Sequence, residues 1–141
     1  MNVNTYFSLQ NIPDNIDVLL INFFAPECKP CIAEVPDLKN IHEVMSKNRN
    51  MQFVAIGSRI TALSGENIDD VKSVVPDIHR FTREFKINYP TYVAGTSDLT
   101  NFGLTGFPET FILNRDSTGK WFVKRKFIGM ISNKDVQQFI N

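Results

Sequence analysis

The feature that most constrains the fold is a pair of short, strongly apolar runs with a helical segment between them. The runs at 18–24 (VLLINFF) and 51–57 (MQFVAIG) are rich in β-branched and aromatic residues, which is typical of strands buried on both faces of a sheet. Between them, apolar residues recur at intervals of three and four, which predicts a helix from the cysteines to about Ser46, kinked at Pro36. This strand-helix-strand order predicts a parallel pair joined by a right-handed crossover.

The rest of the chain predicts further elements around this unit. Strands are predicted at 92–94, 110–113 and 121–127, and helices at 71–85, 98–102 and 132–140. Pro76 can split the first of these helices, the last two strands form an antiparallel hairpin, and Ser132 with Asp135 resembles a capping box. Residues 61–70 are polar and are expected to be irregular. The sequence thus predicts an α/β fold in a single domain, residues 1–141, with a central mixed sheet flanked by helices on both faces.

Charge and hydropathy disfavour several classes of function. The chain has 15 Lys plus Arg and 15 Asp plus Glu, so its formal charge is zero and no field is expected that would attract nucleic acid or an anionic membrane. Its longest nearly unbroken apolar run, residues 18–25 with Asn22 inside it, is far shorter than the roughly 20 residues needed to span a bilayer. Lys120 and the basic residues at 124–126 are divided between the two faces of a predicted strand, so we expect a solvated sheet edge there.

The two cysteines are the most informative residues. Cys28 and Cys31 are the only cysteines, and they form a C-x-x-C pair. A bridge this short constrains little of the chain, which disfavours a structural staple. His42 and His79 lie too far along the chain for a zinc site and are expected on helix surfaces. Redox chemistry is therefore favoured over a metal site or inert thiols, and no cofactor or metal is expected.

The junction between the first strand and its helix suggests different roles for the two thiols. Cys28 lies at the helix start, where amide hydrogens and the helix dipole favour a thiolate, so it is the expected nucleophile. Cys31, one turn further, is placed to attack the mixed disulfide that Cys28 forms. Pro30 suits a helix start because it has no amide hydrogen to leave unpaired. Lys29 either adds a positive charge near Cys28 or is an ordinary solvated lysine.

Two segments together resemble the thioredoxin superfamily. Residues 22–36 (NFFAPECKPCIAEVP) are similar to its active-site signature, and the C-x-x-C-x-x-E-x-P ending resembles the TlpA/ResA-like branch. Residues 106–113 (GFPETFIL) are similar to the cis-proline loop of that fold, and the Pro-Glu-Thr within them resembles the version found in cytochrome c maturation reductases. The resemblance extends from about Leu19 to Ile140 and implies a thioredoxin-like fold.

The resemblance also implies a set of catalytic residues. Cys28 would be the attacking thiol and Cys31 the resolving thiol. Glu34 would hold or accept the proton of Cys31, although its spacing alone is that of a surface helix residue. Asn22 lies where thioredoxin itself has a buried acid, which fits a branch in which Glu34 takes over that duty.

A client-binding surface is implied next to the cysteines. Pro108 would be a cis proline packed against the disulfide, and Phe107 would offer its backbone to an extended client segment. The alternative for Pro108 is an ordinary proline at the entry to a strand. Lys29 and Pro30, between the cysteines, complete the expected surface.

The sequence departs from the family pattern in two places. The family usually has Trp before the first cysteine, whereas this chain has Glu27, whose charge should oppose thiolate formation at Cys28. The stretch 61–90 is longer than the usual connection, and we interpret it as an elongated loop rather than an added recognition surface.

The leading hypothesis is a thiol-disulfide oxidoreductase that exchanges a Cys28–Cys31 dithiol or disulfide with the disulfides of client proteins. By resemblance, we expect an extracytoplasmic reductase that acts as a monomer in the bacterial periplasm or at the outer face of the membrane, receives electrons from a membrane partner and serves cytochrome c maturation. Residues 1–6 lack the pattern of a secretory signal, so any signal or anchor is expected outside this sequence. The alternative is a thioredoxin-like binding module with a non-catalytic disulfide. A peroxidase is disfavoured because the chain lacks the lone cysteine with neighbouring Thr and Arg that such enzymes use.

Overall fold

A computed structural model describes residues 3–4 and 6–140 of the chain. The strands are β1 (Val3–Asn4), β2 (Val18–Phe24), β3 (Met51–Gly57), β4 (Thr91–Val93), β5 (Glu109–Arg115) and β6 (Trp121–Ile128). The α-helices are α1 (Lys29–Ala33), α2 (Val35–Ser46), α3 (Val75–Glu84), α4 (Thr96–Asn101) and α5 (Asn133–Ile140), and short 3-10 helices lie at Leu9–Asn11, Ile60–Leu63 and Val71–Ser73. The strands form one sheet in the order β1-β4-β3-β2-β5-β6.

The centre of the sheet confirms the predicted strand-helix-strand unit. β2 runs parallel to β3, with Val18 opposite Met51, and antiparallel to β5. Helices cover both faces: the α2 residue His42 packs on Phe53 of β3, whereas Phe102, at the end of α4, packs on Phe23 from the opposite face. Every β2 residue after the first is therefore buried. The mixed sheet and its two helical layers agree with the predicted fold class.

The predicted single kinked helix is instead two helices, α1 and α2, that meet at Glu34. Pro36 has no amide hydrogen to donate to the carbonyl of Ile32, so the regular helical bonding cannot continue through this point. The interruption lies between the turn that carries the two cysteines, residues 28–31, which we call the redox turn, and the long helix that covers the sheet. It leaves Glu34 with 1% of its surface exposed.

The stretch 61–90 is not an elongated loop, contrary to our interpretation of its length. It contains α3, which connects β3 to β4 in a second crossover, with β4 parallel to β3. The predicted irregular region 61–70 also begins within a 3-10 helix. α3 packs closely over the sheet because Gly57 has no side chain: a Cβ there would lie 2.6 Å from Cδ1 of Ile78.

The two sheet edges differ in how well the sequence predicts them. The β5-β6 hairpin is present, and β6 forms one edge. β1 forms the other edge beside β4 and was not predicted, because two residues carry no periodic signal. One half of the predicted capping box is present, since the backbone N–H of Ser132 donates to Oδ2 of Asp135 at 2.8 Å, whereas the Ser132 hydroxyl bonds the same carboxylate. Among the described residues, no helix has the length and apolar character needed to cross a membrane.

Candidate active site

The two cysteines form a disulfide at the point where the chain leaves the end of β2. Their Cα atoms are 5.2 Å apart, and both residues are buried in this oxidised state. Cys28 is the N-cap of α1, and its Sγ accepts a hydrogen bond from the backbone N–H of Cys31 at 3.2 Å. The same N–H would stabilise a thiolate on Cys28 once the bond is reduced. The helix start thus gives the two sulfurs different surroundings.

Glu34 lies one turn beyond Cys31 and points into the protein. Oε1 accepts a hydrogen bond from Nδ2 of Asn22 at 3.0 Å, and Oε2 accepts one from the backbone N–H of Ile131 at 3.0 Å. Burial raises the pKa of Glu34 from 4.5 to about 7, although both hydrogen bonds act in the opposite direction. A carboxyl with this pKa is present in both protonation states near neutral pH, which is the property of a group that exchanges protons.

Asn22 connects Glu34 to β5. Its Nδ2 also donates to Oγ1 of Thr110 at 3.0 Å, directly across the β2-β5 pairing. Its Oδ1 is buried and has no hydrogen-bond partner among the described residues. Nδ2 of Asn22 therefore donates both of its hydrogens to neighbours. Its Oδ1 remains an unpaired acceptor among the described residues, beside the carboxyl of Glu34, which can carry a proton.

The loop before β5 lies at the same end of the central strands as the redox turn. The Phe107–Pro108 peptide bond is cis, as the resemblance implied. Pro108 is buried and immediately precedes β5, whose first residue, Glu109, pairs with Phe23 near the end of β2. The carbonyl of Pro108 accepts a hydrogen bond from the backbone N–H of Gly129 at 2.9 Å. This bond joins the loop to the segment that follows β6.

Two exposed apolar residues next to this loop were not predicted from the sequence. Ile128 is 73% exposed and Met130 is 51% exposed, on either side of Gly129. The next residue, Ile131, contacts Glu34 through its backbone. The sequence could have predicted this exposure. Apolar residues that flank a glycine at the end of an edge strand have no core position to fill.

A second buried carboxyl was also missed. Glu109 is fully buried, and Lys126 Nζ lies 3.4 Å from its Oε1. Its Oε2 accepts hydrogen bonds from the backbone N–H and Oγ1 of Thr105, at 3.2 and 2.5 Å. We expected Lys126 to lie on a solvated sheet edge, but it instead contacts a buried carboxyl. The strand register could have predicted this contact. Lys126 pairs with Phe111, so it is a diagonal neighbour of Glu109 on the same face of the sheet.

The other predicted residues have varied surroundings. Lys29 and Pro30 are exposed on the redox turn, and Phe107 is half-buried. His42 is not a plain surface residue, because its ring packs between those of Phe53 and Tyr89. The part of the chain that the structure describes contains no group of three or more metal-ligating side chains.

Glu27 adds a link that the sequence did not reveal. Its Oε2 accepts a hydrogen bond from the backbone N–H of Ile60 at 3.2 Å. The residue before the first cysteine is thereby tied to the start of the second crossover.

Comparisons with known proteins agree with this arrangement. No protein-family model matches the chain. The chain is 24% identical to the thiol-disulfide oxidoreductase ResA of Geobacillus thermodenitrificans over 123 residues, which are 86% of this chain but only 60% of that protein. Its structure is similar to a DsbF homologue from Corynebacterium diphtheriae, with a TM-score of 0.66, 22% identity and coverage of 95% of this chain and 75% of that one.

A further solved structure with this fold is a secreted Mycobacterium tuberculosis disulfide oxidoreductase homologous to E. coli DsbE. It matches with a TM-score of 0.57 and 16% identity over 88% of this chain and 77% of that one. The sheet, the redox turn and the Pro108 loop together define a thioredoxin-like fold. The similarity to ResA agrees with the TlpA/ResA-like resemblance of the sequence.

Proposed function

We propose that this chain is a thiol-disulfide oxidoreductase that exchanges its Cys28–Cys31 pair with disulfides in client proteins. The observation that carries the proposal is a buried carboxyl, Glu34, one turn beyond a disulfide at a helix start, with a pKa that burial raises to about 7. A bridge between residues three positions apart adds little to stability, so a purely structural disulfide gives no reason to keep an ionisable group buried beside it. A redox pair gives that reason, because one of its thiols must lose a proton.

The reaction follows from the different surroundings of the sulfurs. In the reduced protein, the Cys28 thiolate attacks a client disulfide, forms a mixed disulfide and releases one client thiolate. Cys31 then transfers its proton to Glu34 and attacks Sγ of Cys28, which releases the second client thiolate. Two electrons pass to the client, and the Cys28–Cys31 disulfide remains. A donor dithiol returns the pair to the reduced state by the same steps in reverse.

Asn22 completes the proton-accepting site in this proposal. When Glu34 is charged, Nδ2 of Asn22 donates to it, as the structure has it. When Glu34 gains a proton, rotation of the amide presents the otherwise unpartnered Oδ1 to the new O–H. Asn22 can therefore accommodate both states of Glu34 without moving the backbone.

The client would lie across the redox turn, with its backbone beside Phe107 and Pro108 and its side chains on Lys29 and Pro30. As one thioredoxin-like domain, the chain would act as a monomeric, extracytoplasmic reductase that a membrane partner reduces and that serves cytochrome c maturation. The likeness to ResA and to a secreted disulfide oxidoreductase supports this setting.

Trapping of the mixed disulfide tests the function. Cys31→Ser lacks the resolving thiol, so it should accumulate a covalent adduct with a disulfide-bonded substrate such as insulin, whereas the wild type should reduce insulin catalytically with dithiothreitol as donor. The Cys28→Ser variant is the matched control and should form no adduct. Absence of both turnover and adducts would favour the binding module with a non-catalytic disulfide.

A further inference from the structure

A cleft of about 290 Å³ opens beside the redox turn, between that turn and α3. Its floor is apolar and consists of Ile32, Phe81 and Phe85. The rings of Phe81 and Phe85 pack with their centroids 4.7 Å apart. The volume lies just below the range of about 300–1,000 Å³ that is typical of small-molecule pockets. It therefore suits one long side chain better than a whole cofactor.

The rim of this cleft is negatively charged. Asp77 has two cationic neighbours, with Arg80 at 3.3 Å and Arg59 at 3.5 Å. Glu27 and Glu84 also line the cleft, and neither forms an ion pair with a side chain of the described residues. Among the described residues that line the cleft, Arg80 is the only cation, and it is paired with Asp77. Within the described part of the chain, Glu84 has no cationic partner, and neither has Glu27, whose Oε2 accepts a hydrogen bond from the backbone N–H of Ile60. Two carboxylates that no cation of the described residues neutralises therefore lie above an apolar floor.

The cleft is lined in part by chain neighbours of Cys28. Glu27 directly precedes Cys28 in the chain, and Ile32 follows it by one helical turn. The residues next to the cysteine of a client that is held by a disulfide to Cys28 therefore come close to the cleft lining.

We propose that this cleft is a specificity subsite for a lysine or arginine of the client, within two residues of its reacting cysteine. The inference rests on the proposed function and names a preference within it. The aliphatic stem of such a side chain fits the apolar floor while its cationic head remains at the rim with Glu27 and Glu84. Phe85, half-buried in the floor, adds an aromatic face for the cation. An acidic client residue would meet like charge and be disfavoured.

Three peptides that differ at one position test this assignment. Each contains one cysteine as a mixed disulfide with 2-mercaptoethanol and has Lys, Ala or Glu two residues away. The rate constant with the reduced protein is divided by that with dithiothreitol, which removes the effect of the peptide's charge on its own disulfide. The normalised rate should be about two- to fivefold higher for Lys than for Ala at low salt, lowest for Glu, and nearly equal for all three at 1 M NaCl.

Variants on α3 locate the effect. Glu84→Gln should reduce the Lys-to-Glu preference, and Glu84→Lys should reverse it. Glu43→Gln, which removes an exposed carboxylate from α2 outside the cleft, should leave the preference as in wild type. Glu84 is the better target than Glu27, because Glu27 adjoins Cys28 and a change there alters the thiol itself.

The outcomes separate the two proposals. If all three peptides react at equal normalised rates, or if Glu43→Gln changes the preference as much as Glu84→Gln does, the subsite is wrong while the oxidoreductase stands. If no peptide exchanges at all, the proposed function is wrong and the subsite falls with it.

Discussion

Glu34 and Glu109 are two carboxyl groups that are buried to the same degree near one end of the central strands, but their neighbours differ. Glu109 has a cation, Lys126, within 3.4 Å and two donors from Thr105. Glu34 has only an amide and a backbone N–H. The two also lie on opposite faces of the sheet, because Glu34 is linked through Asn22 to Thr110, the residue that follows Glu109. The comparison teaches that the partner, rather than burial alone, separates a carboxyl that fixes a loop from one that is suited to exchange a proton.

The largest expected effect is on catalysis at Glu34. Replacing Glu34 by Gln removes the proton acceptor for Cys31, so resolution of the mixed disulfide should slow by about 10²-fold at pH 7. Loss of the negative charge near the thiols should also lower the apparent pKa of thiol alkylation. Stopped-flow exchange and alkylation rates between pH 5 and 9 measure both effects. Glu109→Gln is the matched control, and its profiles should follow wild type.

Both effects must occur together if Glu34 acts as proposed. Alkylation and exchange profiles of Glu34→Gln that superimpose on those of wild type would show that its position behind the disulfide has no part in the chemistry.

The sequence predicted the regions where local pattern and tertiary environment agree. β2 and β3 are apolar except for Asn22 and Gln52, and their bounds were predicted to the residue. The C-x-x-C spacing identified the redox turn directly. Glu34 could be assigned only through the resemblance. Its own spacing is that of a surface residue. Pro36 predicted a kink nearby, but the contacts that hold Glu34 inside the protein come from Asn22 and Ile131, which are distant in the sequence.

The unpredicted features depend on contacts between distant segments. Glu109 and Lys126 meet only because the β5-β6 register brings them to diagonal positions on one face. The cleft beside the redox turn exists because α3 packs over Gly57, and no local pattern near Cys28 indicates that α3 would reach it. Pairings of this kind become visible in a sequence only after the strand register is known.

The next effect concerns stability against pH. Burial raises the pKa of Glu34 to about 7 from 4.5, so the folded oxidised protein binds this proton more tightly than the unfolded chain does. The resulting stabilisation is fully present below pH 4.5 and is lost as the pH rises through about 7. Relative to Glu34→Gln, the wild type should lose at most about 3 kcal/mol between pH 4 and 8.5, since one pKa unit corresponds to about 1.4 kcal/mol. Urea unfolding at a series of pH values measures this difference, and parallel curves would contradict it.

Glu109→Gln should have a smaller effect that appears in stability rather than catalysis. The change removes the ion pair with Lys126 and weakens the bonds from Thr105, at a cost of about 2 kcal/mol at pH 7. Lys126 is 29% exposed, so solvent screens part of the ion pair and keeps the cost below that of a fully buried one. Denaturant unfolding measures the loss. At pH 5, where Glu34 is largely protonated, Glu34→Gln should be less destabilising than Glu109→Gln, and the reverse order would break the comparison.

The smallest effect is expected at Thr110, whose Oγ1 accepts the second hydrogen bond of the Asn22 amide. Thr110→Val removes the Oγ1 that accepts from Nδ2 of Asn22, at a cost of about 1 kcal/mol in unfolding free energy. Asn22 keeps its bond to Glu34, so exchange should slow far less than in Glu34→Gln, while the apparent pKa of the exchange profile shifts because the amide is no longer fixed. Thr110→Ser retains the hydroxyl and should restore the wild-type pH profile. If Thr110→Ser and Thr110→Val shift the profile equally, the effect comes from packing at this position, and the hydrogen-bonded link from β5 through Asn22 to Glu34 does not tune the proton acceptor.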